Sequence, residues 1–289
     1  MLQRDMPPVT RPVIEEGLSP DRLSLNTATL RPQWNLQQCV DGCLRYGFGG
    51  IAPWRDKIHE IGLDNAARII RESGLRVSGL CRGGWYTAQG ALTDSVIADN
   101  KRAVDEAVAI NADCLVMVVG GLAEGSKDIA ASRDIVSEGL ARTLEYARTV
   151  DMPIAIEPLH PMYAADRACV NTVKQALDIC DALGNGIGVA VDVYHVWWDP
   201  GLLPQLKRAG KERLLAFHLC DWLVPTRDLL TDRGMMGDGV IDLRGLRAAV
   251  EAEGFDALNE IEIFSELNWW KREADDVMQI IADRARACC

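Results

Sequence analysis

The chain lacks the marks of several functional classes. No run of about 18 apolar residues occurs among its 289, so no segment is built to cross a bilayer as a helix. Basic residues are in the minority. Against 42 Asp and Glu there are 31 Lys and Arg, a net charge of −11, which disfavours nucleic acid and anionic membranes as partners. The first residues, Met-Leu-Gln-Arg-Asp-Met-Pro-Pro, have no apolar stretch of the kind a secretory signal requires. No glycine-rich dinucleotide fingerprint and no phosphate-binding P-loop follows any expected strand. The nine cysteines show no pairing framework. Cys39 and Cys43 are four apart on an expected helix, Cys288 and Cys289 end the chain, and Cys81, Cys114 and Cys220 sit in apolar strand contexts, where a thiol serves as a small hydrophobe. That usage points to a reducing cytoplasm and away from a thiolate zinc site.

What is present is alternation. Residues 153–195 show it most plainly. Pro-Ile-Ala-Ile-Glu-Pro-Leu-His and Ile-Gly-Val-Ala-Val-Asp-Val-Tyr-His are short apolar runs without helical spacing, and between them Asn171 to Leu183 has the cap and spacing of a helix, with Asn171 or Thr172 as N-cap. Each run stops at a carboxylate, Glu157 or Asp192. In a parallel sheet the two acids share one side and can converge, and an unpaired acid is costly to bury there without a role.

The same pattern extends along the chain. Further strands are expected at 22–25, 49–53, 75–80, 113–119, 214–219 and 258–263. Helices are expected at 35–46, 63–73, 94–110, 128–149, 242–253 and 273–287, with a sixth between the sixth and seventh strands. Eight strands and eight helices predict an α/β fold, a single-domain (β/α)8 TIM barrel over 21–289. Residues 1–20 hold four of the twelve prolines without periodicity and read as an extended N-terminal arm. The stretch Leu223 to Gly239 is too long for an ordinary connection and is expected to cover the site.

A barrel of this kind carries its site at the carboxyl ends of the strands. Those ends supply Asn26, Trp54, Arg55, Cys81, Arg82, Glu157, Asp192, His195, His218, Asp221 and Glu262. Three of the four histidines (His160, His195, His218) and all eight tryptophans fall in segments after strands, which suggests an aromatic wall around a polar pocket. Glu157, Asp192, an acid of the eighth strand and one imidazole form a mixed oxygen and nitrogen cage suited to one divalent ion, with Mn²⁺ favoured and Mg²⁺, Co²⁺ or Zn²⁺ possible. Glu260 and Glu262 compete for the strand-eight place, because both project from the same side of the strand. Arg55 and Arg82 would face an anionic group on the ligand.

Ile-Glu-Pro, Asp-Val-Tyr-His, His-x-x-Asp, Gly-Asp-Gly-Val-Ile-Asp and Ile-Glu-Ile-Phe occur here in that order. The set resembles the sugar phosphate isomerase/epimerase family of xylose-isomerase-like barrels, including the ketohexose 3-epimerases. The resemblance implies that Glu157, Asp192, His218 and Glu262 bind the ion and that Glu157 and Glu262 transfer protons. It also implies that His195 holds substrate and that an arginine after His218, here Arg233 or Arg227, contacts substrate hydroxyls. The implied activity is isomerisation or epimerisation of a keto-sugar or sugar acid through an enediolate. The rival is a lyase, dehydratase or decarboxylase using the same enolate, and an AP-endonuclease-like hydrolase is the more distant one. A homo-oligomer, dimer or tetramer, is expected, with a small polyhydroxy carbonyl compound as the partner in the site.

Overall fold

Short runs of Val, Ile, Leu and Ala, buried on both faces, can pair only with one another, and here they pair in a ring. A computed structural model describes residues 16–289; most of the expected arm, residues 1–15, lies outside the described residues. The strands are β1 Leu23–Asn26, β2 Gly50–Ala52, β3 in two pieces (Arg76–Val77 and Leu80–Gly84), β4 Leu115–Val118, β5 Ile154–Ile156, β6 Ile187–Asp192, β7 Leu214–Leu219 and β8 Asn259–Ile261. These nine segments form one parallel sheet in which β1 pairs with both β2 and β8. Isolated parallel bridges Trp54 to Cys81 and Val77 to Ala112 span the break in β3, giving a nearly closed barrel. The third strand runs further than its apolar stretch suggests, to Gly84, with a register shift between Cys81 and Gly83.

The helices between the strands are α1 Leu36–Tyr46, α2 Leu63–Ser73, α3 Asp94–Ala109, α4 Ile129–Arg148, α5 Val173–Leu183, α6 Leu202–Arg213, α7 Leu243–Ala252 and α8 Ala274–Cys288. Their starts follow side-chain chemistry. Asn35 and Gln38 form a capping box on α1, and Thr93, Asp128, Thr172 and Asp242 each accept a hydrogen bond from the first turn they precede. Gly47 ends α1 in the left-handed conformation that a side chain resists. Two further short helices, Arg55–His59 and Val193–Val196, lie directly after β2 and β6. None of the helices is long and apolar enough to cross a membrane, among the described residues.

Inside the barrel the side chains are small, and this leaves space for polar ones. Cys81, Cys114, Val116, Ala155, Ala190 and Ala216 form a buried cluster apart from the main core. Ser24, Ser78, Asn26, His218, Glu260 and Glu262 are buried as well and stack toward the carboxyl ends of the strands.

The long segment after β7 is tied down. Arg233–Gly234 pairs antiparallel with Asp221–Trp222. Tyr163 Oη and Tyr194 Oη both donate to the Leu229 carbonyl, and Asp232, fully buried, pairs with Arg227. The segment is therefore a cap held by many contacts in this structure.

Candidate metal centre and substrate pocket

Four ligand-type side chains converge because the ladder of the sheet carries on past the strand ends. Asp192 is in register with His218, and His218 with Glu260. Glu157 N donates to Met117 O at 3.1 Å and Glu262 N to Leu219 O at 3.1 Å, which sets each glutamate one residue beyond its strand. The result is a buried group of Glu157, Asp192, His218 and Glu262 whose ligand atoms all lie within 4.8 Å of one another. His218 Nδ1 faces Glu157 Oε1 at 3.3 Å and Glu262 Oε2 at 3.8 Å.

Glu260 lies on the other side of the imidazole, one layer deeper. His218 Nε2 is 3.5 Å from Glu260 Oε1, while Asn26 Nδ2 and Ser78 Oγ donate to the two oxygens of Glu260 at 2.7 and 2.8 Å. Those contacts leave Glu260 to orient His218 and Glu262 to face the cage. A second group of Cys81, Glu260 and Glu262 is also close enough to hold an ion. The Asn26 amide already lies among its atoms, donating to both glutamates and 3.8 Å from Cys81 Sγ.

The electrostatics of the four-residue group call for positive charge. Burial, together with the nearby Glu157 and Asp192, pushes Glu262 up to about 8 despite Arg233 and His218. His218 is raised well above its ordinary value, since Glu260, Glu157 and Glu262 together overcome the burial that opposes its charge. Burial likewise works against the charge of Asp192, but Arg233, His195 and His218 hold its carboxyl below the usual range. Glu157 Oε1 and both nitrogens of His218 are buried without a hydrogen-bond partner among the described residues. Buried orphans of this kind, three carboxylates and an imidazole in one small volume, fit a divalent cation.

A pH prediction follows from these shifts. At pH 7 both His218 and Glu262 hold protons that an incoming ion must displace, so metal affinity rises with pH and weakens progressively as pH falls below about 8. Calorimetric titration with Mn²⁺ at pH 7, in buffers of different ionisation enthalpy, should report about one or more protons released per ion. Binding without proton release would contradict this assignment.

Arg233 is the residue that most changes the picture. It is 3% exposed, and its Nη1 is 2.8 Å from Asp192 Oδ2 and 3.0 Å from Glu262 Oε2. Nη2 is 3.2 Å from His195 Nε2, and because arginine cannot accept, that nitrogen must. Burial, reinforced by Arg233, brings His195 down to about 4, so the imidazole is neutral. Each carboxylate keeps a second tether: Asp192 Oδ1 caps the short helix through Tyr194 N at 2.8 Å, and Glu262 Oε1 accepts from Asn26 Nδ2 at 2.9 Å. Beyond the substrate contact expected of it from the loop after β7, Arg233 belongs to the wall of the cage.

A cavity of about 170 Å³ opens above this group. Glu157, Glu262, His195, Arg233, Trp54 and Arg82 all line it, as do Trp85, Tyr163 and Phe264. Four expected substrate contacts are elsewhere. Asn26 is fully buried beneath the cage, where Trp54 Nε1 donates to its Oδ1 at 2.9 Å. Arg55 opens a short helix and turns outward, bridging Glu106 at 2.6 Å and Asp99 at 3.0 Å. Asp221 is consumed structurally, accepting from the backbone N–H groups of Trp222, Gly237, Gly239 and Ile241. Arg227, half-exposed, pairs with the buried Asp232 away from the cavity. The aromatic wall is also smaller than expected: of the eight tryptophans only Trp54 and Trp85 line the cavity. Trp197, Trp198 and Trp222 pack with His160 and Tyr194, and Trp269 is buried. Two charged cavity residues, Arg31 and Arg167, were not anticipated, nor were the aromatic Tyr163 and Phe264. The sole sequence signal of the two arginines is position, in loops that follow β1 and β5.

A family model described as xylose isomerase-like TIM barrel matches residues 40–283. No curated protein matches the chain in sequence. Among solved structures, protein SMc04130 of Sinorhizobium meliloti 1021 is 58% identical with a TM-score of 0.90, over 93% of this chain and 98% of that one. The IolI protein with a binding zinc atom is 20% identical, TM-score 0.74, over 91% and 95% of the two chains. D-allulose 3-epimerase from Methylomonas sp. in complex with D-allulose is 18% identical, TM-score 0.71, over 96% and 97%. At such identities the last two speak to the fold alone.

Proposed function

The chain belongs to the xylose isomerase-like TIM barrel family, and from that premise we propose that it is a divalent-metal-dependent isomerase or epimerase of a polyhydroxy carbonyl compound. The observation that carries this reading is the placement of two glutamates, Glu157 and Glu262, which both line the cavity and both face His218 Nδ1. Glu157, Asp192, His218 and Glu262 would hold the ion, Mn²⁺ by preference. When bound it supplies Lewis-acid polarisation of a carbonyl and its neighbouring hydroxyl, acidifying the C–H between them.

The protein groups divide the remaining work. One glutamate removes the acidified proton, giving the substrate's enediolate, and the other returns a proton to the opposite face or the neighbouring carbon. Arg233 fixes Asp192 and Glu262 so that their positions do not drift as charge moves. His195, neutral and locked onto Arg233, forms part of the cavity wall against which the substrate would rest. Trp54 and Phe264, packed edge to face with centroids 5.6 Å apart, form an apolar wall against which the carbon face of a sugar can rest.

His195→Ala should raise KM several-fold with the metal content unchanged, because His195 contacts the cage through Arg233 and is 3.7 Å from Asp192 Oδ2. Metal loss in that variant, measured by elemental analysis, would make His195 a ligand.

All nine cysteines are free, in keeping with a reducing cytoplasm. Exposed Val224, Leu229, Val240 and Leu267 follow β7 and β8 and support assembly into a homo-oligomer through that face. The reaction class is tested by incubation in D₂O with Mn²⁺ and a panel of keto-sugars and keto-acids. Deuterium beside the carbonyl, with isomer or epimer as product, supports the proposal. Loss of water or CO₂ would assign a lyase, and no exchange with any member would contradict enolate chemistry.

A further inference from the structure

We propose that the mouth of the cavity is an anion subsite, centred on Arg82 and flanked by Arg31 and Arg167, which selects substrates bearing a carboxylate or phosphate away from the reacting carbonyl. The inference rests on the function proposed above and narrows its substrate class.

The three arginines reach one cavity from separate elements: Arg31 from the loop after β1, Arg82 from β3 and Arg167 from the loop after β5. They share that cavity with Glu157 and Glu262, so a ligand held at the mouth is within reach of the cage. Each guanidinium lies over an aromatic face. Arg82 Cζ is 4.6 Å from the Trp85 ring centroid and 5.7 Å from that of Trp54. Arg31 shares Trp54 at 4.6 Å, and Arg167 lies 5.7 Å from the Tyr163 ring. Stacking fixes the plane of a guanidinium while leaving its in-plane N–H groups for a planar or tetrahedral oxyanion.

The pairing of the other arginines sets Arg82 apart. Arg55 bridges two carboxylates, Arg233 two more, and Arg31 has Asp56 at 2.6 Å. Arg167 reaches only Asp166, at 3.8 Å. Arg82 makes no hydrogen bond or ion pair to any acid among the described residues, in a chain whose net charge is −11. Burial above all, with the charges of Arg167 and Arg31, brings it down to about 10 against the opposing pull of Cys81 and Glu157, neither of whose side chains is hydrogen-bonded to it. A free neutral sugar leaves that charge unanswered; a sugar acid or sugar phosphate answers it.

The test is calorimetric binding to the Mn²⁺-loaded full chain at fixed ionic strength, with D-fructose, D-fructose 6-phosphate, 2-keto-D-gluconate and inorganic phosphate as probes. At least one of the two anionic sugars should bind about tenfold or more tightly than fructose, the stronger of them identifying phosphate or carboxylate as the natural group. Arg82→Gln should weaken that probe by about 10- to 100-fold, as expected for a charge-assisted hydrogen bond, and change fructose binding less than about twofold. Arg82→Lys, which keeps the charge and loses the fork, should fall between. Arg167→Gln should show a smaller loss with the same selectivity, and it serves if Arg82→Gln does not fold. Three results would each overturn the subsite: fructose binding as tightly as both anionic sugars, Arg82→Gln weakening all probes alike, or neither anionic sugar binding at millimolar concentration. Because binding alone is read, retained anion preference without proton exchange in D₂O would remove the isomerase assignment and leave the subsite standing.

Discussion

Glu157→Gln and Glu262→Gln should each lose turnover by about 10²–10⁴-fold or more at saturating Mn²⁺, with the barrel still folded. That range is what a proton-transfer group contributes, and weaker metal binding adds to it. The amides nearly preserve side-chain volume, so the two variants separate chemistry from architecture. They should differ in stability. Glu157 Oε1 meets His218 Nδ1 at 3.3 Å without hydrogen-bond geometry, a single contact to weaken. Glu262 accepts from Asn26 Nδ2 and from Arg233 Nη1 on its two oxygens, and one amide cannot accept on both sides. Glu262→Gln is therefore the less stable of the pair, measurable by chemical denaturation. Near-normal kcat in either variant would rule out the paired-glutamate mechanism.

Arg233→Ala should destabilise the metal-free protein by about 3–5 kcal/mol, the usual cost of removing one partner from a buried ion pair. Asp192 is fully buried and Glu262 nearly so, and both face Arg233 Nη1, so truncation leaves two acids crowded without their cation. The same two carboxylates belong to the metal cage. Added Mn²⁺ should restore much of the loss, since an ion at about 1,000 times its Kd contributes about 4 kcal/mol. The comparison is of denaturation midpoints with and without Mn²⁺ in wild type and variant. An Arg233→Ala protein as stable as wild type without metal would show that the acids find their compensation elsewhere. Had Arg233 been a lid residue, the variant would alter kinetics and spare stability; the two accounts are separable in one experiment.

The fold was legible because parallel-barrel strands are short apolar runs that end at polar residues, and eight of them alternate with capped helices. The third strand was the least legible, since its glycines and Arg82 interrupt the apolar pattern where the sheet continues to Gly84. Position at a strand end brought Glu157, Asp192, His218 and Glu262 onto one list of candidates. It could not say how deep each side chain sits. Glu260 and Glu262 share one face of β8, and only the contacts of Ser78, Asn26 and His218 Nε2 set Glu260 below the cage.

The same rule over-reached for Arg55 and Asp221. A residue just after a strand can follow the next helix outward, as Arg55 does toward Glu106 of α3. It can also be spent on backbone N–H groups, as Asp221 is in closing the loop through Gly237 and Gly239. Arg31 and Arg167 carry no motif at all. Their importance comes from where the loops after β1 and β5 fold back over the cavity, which no periodicity encodes.

The central claim is that four side chains from β5 to β8 hold one divalent ion, and a crystal structure of the protein grown with Mn²⁺ tests it most directly. Anomalous scattering from manganese should give one peak per chain, bonded to carboxylate oxygens of Glu157, Asp192 and Glu262 and to His218 Nδ1. A well-ordered site with no peak, or a peak held instead by Cys81 and Glu260, would contradict the account.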